Sequence, residues 1–335
     1  TQLNNEQRDN VETILRSGQA LLEIINDILD LSKLDAKQVV LENIAFDLEQ
    51  LAHNVLELVA PQANDKAIEL ILDYPPACPR RMLGDPTRLR QVLLNLVGNA
   101  VKFTELGYVK LTLDCQSIAP DSVALNLTVA DTGIGIAVDK QADLFESFTQ
   151  ADQATTRKYG GSGLGLSISR KLVRLMGGEI RVESAPEQGS TFKVSLELGL
   201  DEDLPTIEPQ LLAGVRVLLL DENIENARIF RQLFDYLGMR SELLSDKQLV
   251  IPRLSEAQQE GEPYQIAILD QAQYSSDSMV LGHAIRHLPA LDGLCLIALT
   301  TLGHRGDAAT FRKAGFDAYL NKPATATTLL KIMHR

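Results

Sequence analysis

Three groups of residues before position 170 have types and spacings that can do chemistry. The first is Tyr159-Gly160-Gly161-Ser162-Gly163-Leu164-Gly165-Leu166, continuous with a helical pattern from Ser167 to Met176. So little side-chain bulk lets backbone N–H groups approach an anion, and the helix that follows adds a positive dipole end. A triphosphate is the expected ligand. The second group is Asn95, Asn99 and Lys102, whose i, i+4, i+7 spacing puts two amides and an ammonium on one helix face. Amide oxygens can ligate Mg2+, and a lysine can reach a phosphate. The third is Asp131-Thr132-Gly133-Ile134-Gly135, which ends the apolar run Val129-Ala130. A buried carboxylate there can accept from an adenine amino group while the glycines let the backbone pass close to the base.

These residues need elements to hold them. Asp85-Pro86 predicts an N-cap and a first-turn proline, and Leu89, Val92, Leu93, Leu96 and Ala100 form an apolar stripe beside the asparagines. Upstream, a strand is expected around Val39 to Leu41 and a helix from about Phe46 to Val59. Ile68 to Leu72 reads as a strand, followed by the loop Tyr74 to Pro79. Tyr108 to Leu113 and Val123 to Val129 alternate as half-buried antiparallel strands. Gly177-Gly178 is a helix stop, and Glu179 to Glu183 with Ser190 to Leu196 form a closing hairpin. Helices on one face of a mixed sheet make an α/β sandwich.

The carboxyl half carries a different pattern. After the acidic, proline-containing stretch Gly199 to Gln210, four apolar runs end in polar residues: Val215 to Leu220 before Asp221-Glu222, Gln265 to Leu269 before Asp270, Leu294 to Leu299 before Thr300, and Ala318 to Leu320 before Lys322-Pro323. Strands alternating with helices predict a doubly wound parallel sheet with its chemistry at the carboxyl ends of the strands. Carboxylates at Asp221, Glu222 and Asp270 could hold Mg2+. A hydroxyl and an ammonium, Thr300 and Lys322, could steady a phosphoryl group on Asp270.

The chain has 335 residues, 45% hydrophobic and 23% charged, with a formal net charge of -13. That length allows two or three domains, and the acidity argues against nucleic acid or anionic membrane surfaces as partners. Cys78, Cys115 and Cys295 are far apart and odd in number, so neither a disulfide framework nor a zinc site is expected, which fits a reducing cytoplasm. No run is long enough to cross a bilayer and no signal peptide is present. The start at Thr1 and the uncapped pattern at Arg335 suggest an excised piece of a longer protein.

The three amino-terminal groups, with Leu144-Phe145-Glu146-Ser147-Phe148 between the second and third in chain order, resemble the ATP-binding domain of sensor histidine kinases, a Bergerat-type fold. The resemblance implies that Asn95 and Asn99 form the N box, with Asn99 the Mg2+ ligand and Lys102 a phosphate contact. It matches Asp131, Gly133 and Gly135 to the first glycine box, Phe145 and Phe148 to the F box, and Gly161, Gly163 and Gly165 to the second. Leu164 and Thr191 are also implied at the ATP site, and Phe148 to Gly160 would be a lid. Residues 17 to 36 resemble the second helix of the family's dimerisation and phosphotransfer domain; the broad apolar face of residues 5 to 36 fits a hairpin that forms a homodimeric four-helix bundle.

Residues 214 to 335 resemble a receiver domain. The resemblance implies Asp221 and Glu222 as the acidic pair, Asp270 as phosphoacceptor, Thr300 as switch hydroxyl and Lys322 as the family lysine. It also resembles the first receiver of hybrid kinases that continue into a second receiver or a histidine phosphotransfer domain. The expected segments are therefore 1–37, 38–199, a linker at 200–213, and 214–335.

Two departures stand out. None of His53, His283, His287, His304 and His334 precedes an acidic residue and a proline four positions on, so the phosphoacceptor helix is expected upstream of Thr1. After Asp270 the family's proline is replaced within Gln271-Ala272-Gln273-Tyr274, which leaves a pseudo-receiver as an alternative. Two other functions compete with the kinase: a Bergerat-type ATPase, disfavoured because Asn95 stands where those relatives carry a basic glutamate, and a nonenzymatic regulator that heterodimerises through residues 5 to 36.

Overall fold

The computed structural model describes residues 4–146, 163–201, 207–271, 276–301 and 307–333. The expected lid with Phe148 and Gly161, the altered residues after Gln271, and His304 and His334 lie outside the described residues.

The chain opens with α1, Asn5–Asp35, started by a capping box in which Asn4 accepts from the Gln7 backbone and Gln7 reciprocates. Its amino-terminal part leaves Val11, Ile14, Leu21, Ile25 and Ile28 exposed. Leu31 and Leu34 pack on the core of the next unit, where Gln91 donates to Asp30 at 2.9 Å and Lys171 pairs with Asp35.

A seven-stranded mixed sheet follows, in the order β1 (Ile44–Asp47), β3 (Arg81–Gly84), β7 (Ser190–Leu200), β5 (Ser122–Asp131), β4 (Tyr108–Ala119), β2 (Glu69–Asp73), with β6 (Glu179–Ser184) paired to β7. All pairings are antiparallel except β2 with β4. Helices α2 (Leu48–Asp65), α3 (Pro86–Phe103) and α5 (Gly165–Leu175) share one core with the sheet, and the single turn α4 (Val138–Gln141) precedes the F-box residues. The strand expected at Val39 to Leu41 forms instead at Ile44–Asp47: Val40 is 85% exposed, whereas Phe46 is buried opposite Met82. Helix α2 also outruns its predicted end, continuing through Pro61 to Asp65 because Ala60 and Ala63 are buried in the core. One lost N–H at Pro61 does not outweigh that packing.

The expectation of no disulfide is corrected. Cys78 and Cys115 are bonded, with Cα atoms 5.5 Å apart and a sequence separation of 37. The loop carrying Cys78 turns back beside β4, where Tyr74 is buried and its hydroxyl donates to the Pro79 carbonyl at 2.6 Å.

The second unit is a five-stranded, all-parallel sheet in the order β12 (Ala318–Lys322), β11 (Cys295–Thr301), β10 (Ile266–Asp270), β8 (Arg216–Leu220), β9 (Arg240–Leu244). Leu218 and Leu220 face one core, Val217 and Leu219 the other, as expected of a doubly wound fold with helices α6 (Ile224–Tyr236), α7 (Val250–Gln259), α8 (Ser276–Arg286), α9 (Asp307–Lys313) and α10 (Ala326–Met333). Edge strand β9 escapes sequence reading because only half of its surface is covered and it lacks an apolar run.

Candidate functional site

Helix α3 begins as expected, with Asp85 Oδ1 accepting from the Arg88 backbone at 2.9 Å and Pro86 in the first turn. Asp85 Oδ2 also accepts from the Glu42 backbone at 3.1 Å. The other end is fixed by a residue the sequence did not single out: Lys66 Nζ donates to the carbonyls of Val101, Lys102 and Thr104 at 2.8, 2.8 and 3.0 Å. A cation there satisfies the last carbonyls and complements the helix dipole. The helix face bearing Asn95, Asn99 and Lys102 is thus held at both ends.

Asn95 faces helix α5. Its Nδ2 donates to Ser169 Oγ at 2.8 Å, and its Oδ1 accepts from Asn99 Nδ2 at 3.3 Å. Asn99 therefore keeps its own amide oxygen for another partner, the donor type a hard cation takes. Gly165 has to be glycine for this packing, since a Cβ there would come within 2.2 Å of Asn95 Oδ1. Ser169 is buried and was missed by sequence reading; a polar residue at i+4 from Gly165 on an otherwise buried face is the available signal. Lys102 Nζ lies 5.1 Å from the Phe103 ring centroid.

Asp131 closes β5. The backbone N–H groups of Gly133 and Ser190 both donate to its Oδ1, at 2.8 and 3.2 Å. Oδ2 thereby retains its acceptor capacity, as an adenine amino group requires. Burial raises the Asp131 pKa, against the lowering effect of those two N–H groups. A Cβ at Gly133 would meet the Phe103 carbonyl at 2.4 Å, and Gly135 has φ +68° with the Ala185 carbonyl at 1.9 Å from an added Cβ. Thr191 pairs with Ala130 across the β5–β7 ladder, beside Asp131. Phe145 is buried edge-on to Phe192 and under the Arg170 guanidinium, which pairs with Glu146 at 2.9 Å. Of the second glycine box, Gly163 has φ +69°, Leu164 is buried and accepts from Ser167 Oγ at 2.8 Å, and Gly165 opens α5.

In the second unit the structure gathers Asp221, Asp270 and Lys322 at the carboxyl edge of the sheet. Lys322 Nζ lies 2.7 Å from Asp270 and 3.2 Å from Asp221. Thr300 is buried one residue beyond Leu299, the strand partner of Asp270. Glu222 is exposed. Burial pushes the Asp270 carboxyl up to about 6; Lys322 opposes the shift and Asp221 adds to it. Burial also raises Asp221. For Lys322 burial works the other way, but Asp270, Asp221 and Glu69 outweigh it and its pKa rises. Among the described residues no three acidic, cysteine or histidine side chains form a metal-holding group. Asp221 Oδ2 is buried 3.2 Å from the Lys322 ammonium; the two aspartates are the oxygen donors Mg2+ takes, with that ammonium as their present cation.

Fold and site define an α/β sandwich that sets an amide-bearing helix against a glycine-opened helix, followed by a doubly wound domain with an acidic pocket. Residues 84–200 match the model of the histidine kinase-, DNA gyrase B- and HSP90-like ATPases, and residues 1–37 that of the His Kinase A (phospho-acceptor) domain. The signal transduction histidine-protein kinase BarA of Escherichia coli (strain K12) is 43% identical over 67% of this chain and 24% of its own length. The sensor protein GacS of Pseudomonas syringae pv. syringae is 33% identical over 99% of this chain and 37% of its own length. Full-length ShkA, solved in complex with AMPPNP, superposes with a TM-score of 0.76 at 31% identity, covering 100% of this chain and 66% of that one. The chain thus spans between 24% and 37% of the length of these two curated relatives. It belongs to the hybrid sensor histidine kinase family. No helix among the described residues is long and apolar enough to cross a membrane.

Proposed function

We propose that this chain is the cytoplasmic catalytic portion of a hybrid histidine kinase. It binds Mg-ATP and passes the γ-phosphoryl group to a histidine other than its own five, with Asp270 as a subsequent acceptor. In the transfer an imidazole nitrogen bonds to the γ-phosphorus as the bond to the β,γ-bridging oxygen breaks and ADP leaves. The observation that carries this is the junction of Asn95, Ser169 and Gly165, which sets the amide face of α3 against the start of α5, with Asp131 Oδ1 pinned nearby in the same fold.

Asp131 Oδ2 would accept from adenine, Asn99 Oδ1 would hold Mg2+, and Lys102 would meet the phosphates. Leu164, Thr191, Phe145 and the glycines would shape the remaining walls. Bound Mg2+ supplies charge neutralisation; the protein supplies position. Asn95 is an amide engaged with Ser169 and Asn99, so it offers no base to activate water. That favours a transferase over a water-activating ATPase.

The exposed apolar face of α1 suits a homodimer, and the segments 1–37, 38–199, 200–213 and 214–335 serve as helix, catalytic domain, linker and receiver. A downstream receiver or histidine phosphotransfer domain would take the group onward.

The test is transfer of label from γ-labelled ATP in the full-length parent carrying Asn99→Ala. Loss of histidine labelling by at least about 100-fold, with ADP still bound through Asp131, is expected for a removed metal ligand. Labelling at the unaltered rate would refute the kinase assignment. Mass gain of one phosphoryl group from acetyl phosphate and Mg2+, absent in Asp270→Asn, tests the receiver.

A further inference from the structure

The acidic pocket of the second unit is reached by a side chain from the first. Glu69, at the start of edge strand β2, lies 3.1 Å from Lys322 Nζ through Oε1. The amides of Asn223 and Asn226 donate to its Oε2 and Oε1. Asn223 is the N-cap of α6, so Glu69 also meets the positive end of that helix. Further along the same strand face, Asp73 pairs with Arg228 at 2.6 Å. Ile71, between them, is fully buried. On neighbouring β4, Lys110 pairs with Glu225 at 2.8 Å, and Thr327 donates to Glu49 at 2.6 Å. The docked face of the second unit is therefore the face that carries Asp270.

We infer that Glu69 is a plug: docking of the second unit on strand β2 and loading of its acidic pocket exclude each other, so that phosphorylation of Asp270 releases the ATP-binding domain. The inference rests on the proposed role of Asp270 as phosphoacceptor. A single ammonium, Lys322, serves Asp270, Asp221 and Glu69. When an Asp270 oxygen bonds to the phosphorus of acetyl phosphate and acetate departs as the anion, the new group brings further negative charge and three acceptor oxygens to the same ammonium. Glu69 then faces a like charge and loses its cation. Its remaining amide contacts do not offset that repulsion in a half-buried site.

The experiment follows acetyl phosphate and Mg2+ labelling of the whole chain by intact mass, alongside backbone hydrogen exchange of Glu69–Asp73. Three proteins are compared: wild type, Glu69→Gln and Arg228→Ala. Arg228 pairs with Asp73 and Glu225, not with Asp270 or Lys322, so its variant weakens docking without altering the pocket. Both variants are expected to label about tenfold faster than wild type, the effect of losing one charged hydrogen-bonding contact. Labelled wild type should show faster exchange across Glu69–Asp73. If both variants label at the wild-type rate, or labelled wild type keeps its original exchange, the plug is wrong and the receiver assignment stands. If no protein gains a phosphoryl group, the receiver assignment fails and takes the plug with it.

Discussion

Asn95 Nδ2 donates to Ser169 Oγ at 2.8 Å, tying the helix of the asparagines to the helix opened by the glycine run. Ser169 is buried, so Ser169→Ala removes the acceptor of the half-buried Asn95 amide. A loss of about 0.5–1.5 kcal/mol in the urea-unfolding free energy of the ATP-binding unit is expected. ADP affinity should fall with it, because the Asn99 amide leans on Asn95. Unchanged stability would mean that the bridge contributes nothing.

Asp131 sets up a test of base recognition. Its Oδ1 must accept from two backbone N–H groups, so in Asp131→Asn the side-chain oxygen has to stay there and the NH2 turns toward the base. A donor then meets the adenine amino group. ATP affinity should fall by about tenfold or more, while a nucleotide with a 6-carbonyl, such as ITP, should lose much less because its oxygen accepts. Calorimetry with both nucleotides measures the preference; an unaltered ATP-to-ITP ratio would remove Asp131 from the base site.

Asp270 predicts a pH dependence of stability in Mg2+-free buffer. Its pKa rises from 3.8 to about 6 on folding. Between those values the folded state holds a proton that the unfolded chain has lost. The stabilisation is therefore complete below the unfolded value and disappears as pH rises through about 6. Urea midpoints of wild type should drop between pH 4.5 and 7 more than those of Asp270→Asn. Parallel profiles would contradict the shift.

Much of this site could be read from the chain because its parts are local. Asp85-Pro86 names a helix start, Asn95, Asn99 and Lys102 share a face by spacing alone, and Gly177, with φ +79°, ends α5 where a stop is expected. Residues that act across the fold were silent. Lys66 caps α3 from another element, Ser169 matters only once α5 lies against α3, and Glu69 is one acid in an edge strand until the second unit covers it. The apolar run Ile68 to Leu72 predicts a strand, but not that Ile71 is fully buried where the helix of the second unit packs on β2.

The same limit hid the sulfur chemistry, and it gives the last prediction. Cys78 and Cys115 are far apart in sequence, but their Cα atoms are 5.5 Å apart across the loop that returns to β4; Cys295 is a free cysteine. Thiol titration of protein denatured without reductant should therefore find one reactive group, rising to three after reduction. Opening the crosslink restores chain freedom to the unfolded state, and the ATP-binding unit should lose about 2–4 kcal/mol of stability. Cys78→Ser with Cys115→Ser should match the reduced protein and no longer respond to reductant. Three thiols before reduction would show that the two sulfurs are close but not joined.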